Sequence, residues 1–203
     1  MVKFFPYQLY PGATKEGESK YDWYKKSRYG DSEDKMKMYT TLMTAYGVSA
    51  GIDFKFGGTV ANTMDAHRVI QHFQEEKGPE IADKIINCEK RLQAPPAWAW
   101  SSLSFQALYS QYFENERHPS TDETLLAATT AAGIPEDEAR PFIADKSDGM
   151  MDVKNMVRQQ AGNGIDSVPT IIIEGKRRDI TLIGAKEVEE YEKALHQIVK
   201  ESK

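Results

Sequence analysis

Apolar side chains recur along this chain at two spacings, every second residue in a few short stretches and every third or fourth over most of the remainder. Residues 2–9 read as a short strand closed by Pro11-Gly12, and Ile52-Asp53-Phe54-Lys55-Phe56 alternates as a second extended piece that Gly57-Gly58 breaks. Between them, Met36, Tyr39, Leu42, Met43 and Tyr46 share one face of a helix that begins near Glu33 and is expected to end at Gly47. Residues 63–77 resume helical spacing with Ala66, Val69, Ile70 and Phe73 on one side, and Gly78-Pro79 opens another helix. Ser120 and Glu123 are placed as a capping box ahead of an alanine-rich helix that Gly133 stops, Pro135 suits the first turn of the next, and residues 150–161 form one more.

The C-terminal part changes character. Gly164-Ile165-Asp166-Ser167-Val168-Pro169-Thr170-Ile171-Ile172-Ile173 sets a proline at the mouth of a densely β-branched strand. Proline donates no N–H to a sheet, so it is tolerated at a strand's first residue or on an edge. A turn at residues 175–179 leads into Ile180-Thr181-Leu182-Ile183, and from Ala185 a final amphipathic helix is expected to turn Val188, Tyr191, Leu195, Ile198 and Val199 inward. The order is a strand, a helical block, then strand, hairpin, strand and helix. It predicts an α/β protein in which an all-helical subdomain, residues 13–162, is inserted into a sheet portion made of residues 1–12 and 163–203.

Composition removes several function classes. The 203 residues carry 26 basic and 31 acidic side chains, mixed along the sequence, for a net charge of −5, which offers no electrostatic footprint for nucleic acid or anionic lipid. The cationic run Lys176-Arg177-Arg178 follows Gly175 between two β-like segments and reads as a solvated hairpin turn. No stretch approaches the roughly 18 apolar residues of a membrane span, and residues 1–6 lack a signal-peptide pattern. One cysteine, Cys88, rules out an internal disulfide framework. A soluble, cytoplasmic protein in a reducing compartment is expected.

Residues 88–107 interrupt what otherwise reads as a single helix. Pro95-Pro96 cannot continue it, and the segment holds the only cysteine with Trp98 and Trp100, two of the three tryptophans. Cys88 falls at the C-terminal, negative end of a helix, where a thiolate is disfavoured, so it is not expected to act as a nucleophile. His72, His118 and His196 are scattered without metal-ligand spacing, and no metal or cofactor is expected. Tyr7, Tyr10, Tyr21, Trp23, Tyr24 and Tyr29 crowd the start, either as core and rim or as a substrate wall.

Gly51-Ile52-Asp53-Phe54-Lys55-Phe56, Asn62-Thr63-Met64-Asp65-Ala66-His67-Arg68, Gly164 to Thr170 and Gly184-Ala185, in this order and spacing, resemble the DsbA-like thioredoxin-fold oxidoreductases. The nearest branch is FrnE, with 2-hydroxychromene-2-carboxylate isomerases and kappa-class glutathione transferases as relatives. The resemblance implies a thioredoxin-like sheet with a helical insertion, and Val168-Pro169 as the family's cis-proline loop. There Val168 would pair its backbone with an extended thiol substrate, a thiol or disulfide protein or a small-molecule thiol. It also implies that Asn62, His67 and Arg68 line a groove near the thiol site. The residues themselves allow a second reading, in which Asn62 caps its helix and His67 and Arg68 make structural hydrogen bonds.

Redox-active members carry Cys-x-x-Cys at a helix N-terminus after their first strand, and this sequence has no such motif. Residues 1–9 resemble the family's second strand, so the first strand and active-site helix are expected to be missing. A late start codon and a retained intron at 88–107, in a gene model of fungal type, account for both departures. Catalytic impairment follows for a disulfide oxidoreductase of this lineage. A glutathione-dependent isomerase or transferase, with glutathione as cosubstrate, and a non-catalytic peptide- or thiol-binding protein are the alternatives.

Overall fold

The computed structural model describes residues 1–87 and 107–202, and the anomalous stretch, apart from Ala107, lies outside them. The chain divides into two compact units, Met1–Asn155 and Met156–Lys203.

In the first unit, α1 (Lys20–Tyr29) and α2 (Glu33–Ala50) form a helical hairpin, and β1 (Glu18–Ser19) pairs antiparallel with β2 (Thr59–Val60). Then come α3 (Met64–Lys77), α4 (Pro79–Ile86), α5 (Leu108–Phe113), α6 (Asp122–Ala131) and α7 (Glu136–Ala144). The core lies among α3, α4, α6 and α7. The stripe read from the sequence, Ala66, Val69, Ile70 and Phe73, is buried there against Ile85, Leu125, Ile134 and Ile143. Removing such side chains from water is the main favourable term in holding these helices together. Serines and threonines start several helices: Ser19 and Ser32 Oγ accept the N–H groups of Asp22 and Lys35, each at 3.4 Å.

The second unit begins within α8 (Met150–Gly162) and continues through β3 (Thr170–Ile173), β4 (Ile180–Ile183) and α9 (Val188–Glu201). The hairpin is antiparallel, with Thr170 opposite Ile183 and Ile173 opposite Ile180. The turn is not a purely solvated one: Arg178 grips Glu201 with a bidentate pair at 3.0 and 2.7 Å, tying it to the last turn of α9.

Four expectations are corrected. Residues 2–9 are not a strand, and residues 1–12 belong to the first unit, because the backbone of Phe4 and Tyr7 is taken by side chains of α3. Gly47 does not end α2. The helix runs on to Gly51, whose φ of 70° makes the left-handed cap, whereas a Cβ on Gly47 would lie 2.5 Å from the Ile52 carbonyl oxygen and 2.6 Å from the Phe54 ring. Gly47 is therefore a contact point. The cap of α6 is Thr121, accepting from Thr124 N–H, and the Ser120 hydroxyl is buried without a hydrogen-bond partner among the described residues. On α9 only Ala194 is buried, and Val188, Leu195 and Val199 are exposed. Two strands about 5 Å apart cover one narrow stripe of a helix, and here that stripe holds Tyr191, Ala194 and Ile198.

Candidate functional site

Asn62 and His67 meet the same N-terminal segment. Asn62 Oδ1 accepts from the Met64 N–H at 2.9 Å and from Gln8 Nε2 at 3.3 Å, while its Nδ2 donates to the Ala13 carbonyl at 3.3 Å. Because the Met64 N–H belongs to the first turn of α3, Asn62 satisfies one of the orphan donors there. One turn on, His67 Nε2 lies 3.0 Å from the Tyr7 carbonyl. A carbonyl only accepts, so the ring carries its proton on Nε2. Burial pushes this imidazole below its ordinary value, against the opposing pull of the Tyr7 carbonyl.

Arg68, the next residue on the helix, points elsewhere. Its guanidinium is 1 % exposed and donates to the carbonyls of Phe142 and Asp148 at 3.0 Å and Ile143 at 3.2 Å, over the face of the Phe142 ring. Phe142 and Ile143 stand in the last turn of α7, where helix carbonyls have no intrahelical donors. Arg68 therefore caps α7 from outside. The structure places Arg68 in this buried capping role, apart from the segment that Asn62 and His67 meet.

Val168 and Pro169 lie in the second unit, joined by a cis peptide. The Pro169 carbonyl accepts from the Gly184 N–H at 2.8 Å, and Thr170 Oγ1 donates to the Ser167 carbonyl at 2.7 Å, so the loop is held on both sides of Val168. Val168 itself is 46 % exposed, and its N–H and C=O take no partner among the described residues. Beside it, among the described residues, β3 pairs with β4 alone. This is a strand entrance that can accept an added extended chain.

Residues 101–196 match the DSBA-like thioredoxin domain, a span that includes Val168 and Pro169. A probable DsbA oxidoreductase from Streptomyces coelicolor superposes with a TM-score of 0.70 at 20% identity, over 96% of this chain and 74% of that one. The fold is that of DsbA-like thioredoxin proteins. A candidate protein disulfide isomerase from Nitrosomonas europaea is also similar, with a TM-score of 0.60 at 12% identity over 85% of this chain and 77% of that one. No curated protein sequence matches the chain. Within this DsbA-like fold, no group of three or more His, Cys, Asp or Glu side chains could hold a metal ion, among the described residues. No described helix is long and apolar enough to cross a membrane.

One residue escaped the sequence reading. Lys20, the first residue of α1, is only 5 % exposed, and its Nζ donates to the Tyr112 carbonyl at 3.1 Å with the ring of Tyr112 4.6 Å away. It lines a cavity of about 50 Å³ together with Tyr24, Met43, Phe54 and Phe113. Four of the six tyrosine and tryptophan residues near the start cluster in this region: Tyr10 contacts Trp23 at 4.4 Å, Trp23 contacts Tyr24 at 5.2 Å, and Tyr24 and Tyr29 both reach Tyr39. The available signal was a lysine set directly before Tyr21, Trp23 and Tyr24.

Proposed function

We propose that this chain is a thiol-binding protein of the DsbA-like oxidoreductase lineage, of the FrnE branch, that presents a strand platform at Val168 and does not turn over disulfides by itself. The observation that carries this reading is the half-exposed Val168, its N–H and C=O without partners among the described residues, beside an edge of β3 that no described strand pairs. An extended cysteine-containing peptide, or a tripeptide thiol such as glutathione, can lay its own N–H and C=O against those groups as a neighbouring strand would. The match over residues 101–196 and the order of the sequence motifs support the lineage.

Turnover is a separate matter. Thiol–disulfide exchange begins when a thiolate attacks one sulfur of a disulfide and expels the other as a thiolate, leaving a mixed disulfide that a second thiol must resolve. The 203 residues hold only Cys88, so no intramolecular resolving thiol exists in this chain. The purified protein is expected to bind oxidised glutathione or a disulfide peptide, seen as shifts of the Val168 and Thr170 amides in NMR, while failing to reduce insulin with dithiothreitol above the uncatalysed rate. Insulin reduction that survives Cys88→Ser overturns the impairment. Amide shifts confined to residues outside 165–184 overturn the platform.

A further inference from the structure

The Lys20 cavity belongs to the first unit and plays no part in the strand platform. Three observations bear on what it can hold. First, the Lys20 ammonium is buried without a counter-ion: among the described residues no carboxylate lies within 4.0 Å of it. Glu116 raises its pKa electrostatically from beyond 4.0 Å and accepts the Gly57 N–H on Oε1 at 2.8 Å, and the other lysine on the cavity wall, Lys55, is paired with Asp53 at 2.8 Å. Second, Nζ has three donors and uses one on the Tyr112 carbonyl. The N-terminus of the ten-residue α1, from which Lys20 projects, adds positive potential at the same place. Third, the rest of the wall is mostly apolar, with Met43, Phe54 and Phe113, and carries the phenol rings of Tyr24, Tyr39 and Tyr112. Tyr24 adds no spare hydroxyl, since its OH is engaged with Tyr10.

A buried cation with donors to spare is costly unless something negative meets it. Water can fill the space but brings no charge. Phosphate or sulfate carries polar oxygens on every side, and the aromatic and methionine wall would strip them of water without replacing their hydrogen bonds. An anion charged at one end and apolar at the other matches both halves of the cavity. At about 50 Å³, against the roughly 10–15 Å³ that holds one water in a cavity measured this way, the space fits a molecule of acetate size. We infer that the Lys20 cavity is a binding site for a small monocarboxylate, its oxygens on Nζ and its alkyl end against Phe54 and Met43. Burial lowers the Lys20 pKa in the free chain, and a bound carboxylate would restore it.

The test uses the full chain and acetate itself, titrated at constant ionic strength with chloride as the balancing anion and followed by the line width of ¹³C-labelled acetate. The expected result is saturable one-to-one binding, competed by propionate but not by phosphate. Lys20→Met should weaken it by at least about tenfold, the worth of a charge-assisted hydrogen bond. Met43→Phe, which keeps Lys20 and fills the space, should weaken it similarly, and it decides the matter if Lys20→Met does not fold. Non-saturable broadening, acetate binding unchanged in Met43→Phe or in folded Lys20→Met, or phosphate competing as well as propionate overturns the site.

Discussion

Phe4 gives both of its backbone groups to one side chain: its N–H donates to Gln74 Oε1 at 2.8 Å and its carbonyl accepts from Gln74 Nε2 at 2.9 Å. A side-chain amide offers the same donor and acceptor as a peptide, so Gln74 stands in for the neighbouring strand that a strand over residues 2–9 would have needed. Gln71 reinforces it, donating to the same carbonyl at 3.0 Å and accepting from Gln74 Nε2 at 3.2 Å. Gln74→Leu is expected to leave the Phe4 N–H unpaired, the carbonyl keeping Gln71, and to destabilise the first unit by about 1–3 kcal/mol. Hydrogen exchange reads it directly: the Phe4 amide should lose its protection, and a Phe4 amide that stays protected in the variant contradicts the assignment.

Arg68 should be the least replaceable polar residue of the chain. Arg68→Met removes the donors from three carbonyls and abandons Asp65, which lies 3.7 Å away, for an expected loss of about 3–5 kcal/mol in urea denaturation. Arg68→Lys keeps the charge but cannot span the same fork and should recover only part of it. A loss below about 1 kcal/mol for the methionine variant would remove the capping role.

His67 predicts a pH dependence with a definite sign. Its folded pKa lies below the ordinary value of 6.5, so the unfolded chain binds the proton more tightly. The associated stability is complete above pH 6.5 and declines as the pH falls from there through the lower folded value. His67→Gln keeps a donor for the Tyr7 carbonyl and removes the titration. The variant should show a shallower loss of stability between pH 7 and 5 in denaturant melts, and an unchanged slope counts against it.

Gly47 reverses a common rule. Replacing a mid-helix glycine by alanine ordinarily gains up to about 1 kcal/mol. Here the new Cβ would press on the Ile52 carbonyl and the Phe54 ring, so Gly47→Ala is expected to lose about 1–3 kcal/mol in thermal or chemical melts. A stabilised variant would show that the 52–54 segment moves aside freely.

The helical face of Ala66, Val69, Ile70 and Phe73, the proline at the mouth of β3 and the hairpin after it were all legible in the sequence, because each depends on residues a few positions apart. Val168 was singled out by the resemblance to the DsbA-like proteins rather than by spacing. Asn62, His67 and Arg68 were singled out with two readings, a groove lining or a helix cap and structural hydrogen bonds, and the partners they hold were not readable. The Arg68 acceptors stand 74 to 80 residues away, and residues one step apart on a helix face directions about 100° apart.

The sequence by itself determined which segments form helices and hairpin and where a proline must start a strand, since local periodicity and backbone sterics decide these. Only the tertiary structure decided that residues 2–9 lie on α3 as coil, that Gly47 is a contact point, and that Lys20 is buried beside an aromatic cavity. Each of the three is settled by which groups meet across the fold. The Lys20 partner is 92 residues away, and no spacing along the chain encodes that meeting.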